Sequence, residues 1–252
     1  MLKHYDLLLP LGNFCLASHL LRMNNLQCES YPMDWLMFNN WDDAIRMIER
    51  NFADLLNEKY LEKISEHPLH DVYRNNLYDM ELRHDFRNDI SFEQNLEVVG
   101  AKYQRRIERI NKRIAQANKI LIVHVEQNNQ NDDAYVSERF QRLEKFFADK
   151  YIEMLFLNFK TDAAETVSED ITPQIRKITL KVNSLTDYES NKILAKPLLA
   201  AFRTNWRVHI KQQLRRILIV LRKPFLKLIV GGLPLPAKIK RKIRNIYKER
   251  WA

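Results

Sequence analysis

Glycine is scarce. The 252 residues hold four, Gly12, Gly100, Gly231 and Gly232. Neither G-x-G-x-x-G nor G-x-x-x-x-G-K-[ST] occurs, so the glycine-rich loops that cradle dinucleotides and nucleoside triphosphates are excluded. Cysteine is scarcer still, with only Cys15 and Cys28. The zinc signatures Cys-x-x-Cys and His-Glu-x-x-His are absent, and neither a metal nor a cofactor is expected. If residues 13–25 are helical, a rise of about 1.5 Å per residue puts the two sulfurs roughly 20 Å apart. That is beyond disulfide reach, so both read as free thiols in a reducing compartment. No uncharged apolar run approaches the ~18 residues of a membrane span. The longest candidate, residues 217–230, contains Arg222, Lys223, Pro224 and Lys227. The apolar start is broken by Asp6 and lacks a small-residue cleavage site, so no signal peptide is expected. The expected location is cytoplasmic.

What is present is uneven. The net charge is +9, yet residues 201–252 hold 15 of the 41 Lys and Arg and one of the 32 acids, Glu249. The tail therefore carries +14 and residues 1–200 carry −5. An apolar stripe through Leu214, Ile217, Leu221, Phe225 and Leu228 runs beside those cations, and Ile239, Ile243 and Ile246 repeat it beyond Pro236. Basic and apolar faces together suit an anionic bilayer surface. Trp206 and Trp251 suit its interface. Packing on a protein surface is the second reading of the stripe. Nucleic acid is the weakest, because phosphates need no aliphatic stripe and stacking aromatics are few. The expected partner is an anionic membrane surface, met through residues 204–252.

Upstream, periodicity predicts ordered elements. Residues 5–9 read as a strand, Pro10-Leu-Gly12 as a turn and Asn13 as a helix cap. Apolar positions 16, 17, 20, 21 and 23 then follow helical spacing, ended by Asn24-Asn25. Residues 31–36 are aromatic-rich and extended before Pro32. Residues 42–56 predict a helix, and 57–90 predict irregular chain. Ser91 and Gln94 form a capping box that opens a long helix to about Asn118. Residues 120–125, 152–159 and 175–182 predict strands, with a helix at 137–149 and helical pattern after 187. Strands alternating with helices predict an α/β fold, a mainly parallel sheet flanked by helices. The expected division is an α/β domain at 1–200 and a basic helical C-terminal tail at 201–252.

Cys15 falls just inside the first predicted helix, behind a strand and a glycine turn. A helix N-terminus carries roughly half a positive charge and favours a thiolate. The plainer reading is a small buried apolar side chain. His19 lies four residues on, on the same helical face, and is a reserve candidate for a base. His67, His70 and Asp71 make only a loose metal-ligating set. His124 reads as a core histidine on a buried strand, unless it ends the strand where α/β sites form. His4 and His209 read as surface and tail residues. Arg105, Arg106, Arg109, Lys112 and Arg113 read as a solvated helix face, or as a lining for a carboxylate or phosphate.

Four blocks occur in order: Leu11-Gly-Asn-Phe-Cys15-Leu-Ala-Ser-His-Leu-Leu-Arg22, Tyr31-Pro-Met-Asp34-Trp35, His84-Asp85-Phe86 and Lys102-Tyr103-Gln-Arg105-Arg106-Ile107. Together they resemble a bacterial family of unknown function described as papain-like cysteine peptidases, with Met33 where that family usually has Phe. The resemblance covers roughly residues 5–126. It implies Cys15 as nucleophile and His84 as base, the imidazole taking the thiol proton and later protonating the leaving group. A third group orients such a histidine. Asp85 on an extended segment points away from His84, so Asp34 is the preferred orienter and Asp85 the second. The other reading of Asp34 and Trp35 is a turn that packs its indole and caps a helix. The expected function is a thiol hydrolase or acyl-transfer enzyme, acting on a peptide or other acyl substrate near the inner membrane face. The alternative is a non-catalytic or glycan-associated protein of surface-polysaccharide assembly, peripheral to the membrane.

Overall fold

A computed structural model describes residues 3–12, 14–128 and 132–204. Of the helical tail expected at 201–252, residues 201–204 are described and Phe202–Thr204 form a strand, not a helix; the rest lies outside the described residues. The chain opens with strands β1 (Lys3–Tyr5) and β2 (Leu7–Gly12), then helix α1 (Leu16–Met23). Strand β3 (Leu36–Phe38) and helix α2 (Trp41–Glu49) follow. Strands β4 (Leu61–Glu66), β5 (His70–Asn75) and β6 (Met80–Arg87) lead to the long helix α3 (Phe92–Gln116). Then come β7 (Lys119–Gln127), α4 (Asp133–Phe146), β8 (Tyr151–Lys160), β9 (Val167–Thr172) and β10 (Ile175–Lys181). Helix α5 (Tyr188–Ala195) and strand β11 (Phe202–Thr204) close the described part.

The main sheet has the order β2-β7-β8-β10-β9. Its first four strands are parallel and β9 is antiparallel. The apolar runs predicted as buried strands are β7 and β8, covered on both faces as parallel strands require. Alternation divides their side chains. Ile120 and Ile122 face a core shared with α2, α3 and α4, whereas Leu121, Val123 and Val125 face α1 and α5. A mainly parallel sheet flanked by helices is thus one part of a mixed α/β architecture. A second sheet, β3-β6-β5-β4, is entirely antiparallel, and β1 pairs with β11 in parallel.

Three expectations change. Pro10 and Gly12 do not turn but continue β2, because β2 is the sheet edge, where a missing N–H is tolerated. The predicted helix at 42–56 stops at Glu49, and Asn51, Phe52 and Asp54 take positive φ in the turns beyond. Residues 57–90 are not irregular: they form β4, β5 and β6. β4 is largely exposed, and a register shift between Asp71 and Tyr73 leaves Asp85 and Phe86 buried side by side. The period-two signal is lost at that bulge.

Candidate active site

Parallel strands β2 and β10 end on the same edge of the sheet, and each is followed by a loop and a helix. The loop after β2 delivers Cys15 and the loop after β10 delivers Tyr188. The Cys15 sulfur and the Tyr188 hydroxyl lie 3.6 Å apart. The carboxyl edge of a parallel sheet is where α/β proteins form sites, since loops there feed helix N-termini. Gly12 makes the approach possible. It has φ +137°, and a Cβ there would lie 2.2 Å from the Val125 carbonyl oxygen. Cys15 is the N-cap residue of α1, two positions beyond the predicted cap, and its own side chain makes no capping hydrogen bond. The first turn of any helix leaves N–H groups without an intrahelical partner, and Cys15 heads that turn.

His19 joins this cluster. Its ring meets Tyr188 edge-on at 5.6 Å and Trp35 edge-on at 5.4 Å. Burial pushes its pKa down, helped by the charges of Lys192 and Arg22, so the neutral imidazole is favoured. Burial also pushes the Tyr188 phenol well above its ordinary value, reinforced by its hydrogen bond to Cys15. Tyr188 therefore stays protonated and can donate to the sulfur. Sequence patterning held no sign of Tyr188, which lies 173 residues from Cys15.

Asp34 is fully buried and holds the turn at Pro32–Trp35. It accepts from Arg22 (2.9 Å), from Gln27 (2.9 and 3.0 Å) and from the Tyr31 backbone N–H (3.1 Å). These bonds match the turn reading, and none goes to a histidine. Arg22 also lies over the Trp35 ring at 5.3 Å, so Asp34 connects to His19 through Arg22 and Trp35. His84 sits on β6 in the antiparallel sheet, where its ring meets His70 at 5.5 Å, and His70 stacks on His67 at 5.0 Å. Burial and then the His70 charge lower its pKa. No hydrogen bond joins His84 to Cys15. Asp85 points inward from the same strand and accepts from Lys102 and from the Tyr103 hydroxyl (2.8 Å).

The remaining histidines divide as their strands do. His124 is buried between Trp41 and Phe156, with Nε2 2.7 Å from Glu126. It faces the α2 side of the sheet, away from α1. No group of three metal-ligating side chains converges among the described residues. Cys15 and Cys28 are both free.

Fold and site together define an α/β protein with a thiol presented at the carboxyl edge of a parallel sheet. The chain belongs to the family described as "Putative papain-like cysteine peptidase (DUF1796)", which matches residues 6–162. No curated protein and no solved structure matches the chain significantly. Among the described residues, no helix is long and apolar enough to cross a membrane.

Proposed function

We propose that the protein is a thiol-dependent acyl-transfer enzyme or hydrolase with Cys15 as nucleophile and His19 as its proton partner. The supporting observation is the cluster of Cys15, Tyr188 and His19 at the N-terminus of α1. The thiol proton passes to the imidazole as sulfur attacks the acyl carbon. The negative charge that forms on the acyl oxygen is held by the first-turn N–H groups of α1. Collapse of that adduct expels the leaving group, which takes the proton from His19 and leaves a thioester on Cys15. Water or another acceptor then releases the acyl group. Tyr188 steadies the sulfur by donating to it. His84 is the rival base, and it would have to reach Cys15 from the antiparallel sheet.

The pH profile of Cys15 alkylation by iodoacetamide tests this reading. His19→Ala should slow labelling near neutral pH by about tenfold or more, because the base that takes the thiol proton is gone, and His84→Ala should leave it unchanged. Loss on His84→Ala alone would transfer the role to His84. A wild-type profile matching a free thiol, with pKa about 8.5, would overturn the thiol-enzyme reading.

The basic tail supports a place of action at an anionic membrane face. Each Lys or Arg near such a surface contributes about 1 kcal/mol. The full chain should float with vesicles of anionic lipid, and a chain ending at residue 203 should not. Equal flotation, or none, removes the tail as a membrane address.

A further inference from the structure

Helix α3 carries Lys102, Arg106, Arg109 and Arg113 at spacings of four, three and four, which places them on one face. Three of the four cations have partners. Lys102 meets Asp85, Arg109 donates to the Ser30 carbonyl at 2.7 Å, and Arg113 donates to Glu29 at 2.8 and 3.0 Å. Arg106 differs from them. It is 7% exposed, it lies over the Tyr103 ring at 5.2 Å, and its Nη1 is buried with no hydrogen-bond partner. Among the described residues it has no ion pair either.

A guanidinium stays charged at any working pH. Burying a charge without a counter-charge is destabilising, and an unmet donor adds to that. The surrounding acids do not supply one. Asp85 is taken by Lys102 and Tyr103, Asp34 by Arg22, Gln27 and Tyr31, and Glu29 by Arg113. The Tyr103 hydroxyl is taken as well. A cation so placed is short of an anion that the described residues do not provide.

We propose that Arg106 forms the base of a binding site for an oxyanion, a carboxylate or a phosphoryl group. The planar fork of donors matches such a group in two parallel hydrogen bonds. Lys102 and Arg109, one turn to either side, add positive potential. The inference does not depend on Cys15, and its readout is binding rather than turnover.

The test is thermal unfolding of the full chain at constant ionic strength, with chloride replaced by inorganic phosphate or by acetate. Phosphate, acetate or both should raise the melting temperature by about 2 °C or more. A response to one alone identifies the class of oxyanion. Arg106→Met should abolish the rise and melt no lower than wild type without the anion, because an unpaired charge has gone. Arg106→Lys should keep only part of the rise, and Arg105→Gln, at an exposed position of the same helix, should keep all of it. Equal rises in wild type and Arg106→Met would mean general salt stabilisation and overturn the site. No rise in wild type, with Arg106→Met melting lower, would make Arg106 a packing residue over Tyr103.

Discussion

The two larger sheets handle polar side chains in opposite ways. At the amino edge of the main sheet, Glu153 on β8 is held by Tyr5 (2.6 Å), Lys3 (2.9 Å) and Lys119 (3.0 Å). At its carboxyl edge, Cys15 faces a tyrosine at the start of α1. The antiparallel sheet is solvated along much of β4 and gathers three histidines ring against ring. One sheet thus presents a single thiol against a tyrosine hydroxyl, and the other presents several imidazoles near water. Under the proposed function a neutral histidine takes the thiol proton, and His19 shares the Tyr188 contact with Cys15. His84 is part of the second sheet's surface.

The largest effect should come from the junction between the main sheet and its thiol. Gly12→Ala places a Cβ against the Val125 backbone at a φ that favours glycine. It should destabilise the protein by about 4 kcal/mol in urea unfolding, by strain and clash together, and should slow Cys15 labelling. A loss under about 1 kcal/mol would show that β2 can shift freely.

The two acids beside the antiparallel sheet come next. Asp34→Ala strips four hydrogen bonds from a fully buried turn, and the loss should be about 3 kcal/mol. Asp85→Ala leaves Lys102 free to turn toward water, and the loss should be about 1–2 kcal/mol. Equal losses would erase the distinction between them. An Asp34→Asn variant that keeps stability while halting Cys15 reactivity would give Asp34 a role beyond the turn.

The smallest effect is confined to a pH window. Burial alone would push Glu153 up, but hydrogen bonds from Tyr5, Lys3 and Lys119 pull its pKa from 4.5 to about 2. A carboxylate depressed on folding stabilises the protein fully above 4.5, and that contribution is lost as pH falls toward 2. Glu153→Gln should therefore flatten the fall in stability between pH 4.5 and 2. An unchanged slope would show that other carboxylates set acid unfolding.

Some of this was legible in the residues. The capping box at Ser91 and Gln94 marks the start of α3, and both side-chain bonds form. The branched apolar runs of β7 and β8 announce buried strands. β4, β5 and β6 were not legible, since exposed charges and the bulge near His84 hide the alternation. The Asn75 side chain, which accepts from the Leu77 and Tyr78 N–H groups, was the one local sign of the turn between β5 and β6.

The amino-acid sequence by itself determined the parallel strands, the long helix, the position of Cys15 near a helix start and the segregation of charge into residues 201–252. Each of these follows from local periodicity or composition. Only the tertiary structure decided what surrounds Cys15 and what Arg106 lacks. Tyr188 reaches the sulfur because β2 and β10 end on the same edge of one sheet. Among the described residues Arg106 has no ion pair, because Asp85, Asp34 and Glu29 are drawn to other residues. Both facts depend on side chains far apart along the chain meeting in space, which spacing cannot encode.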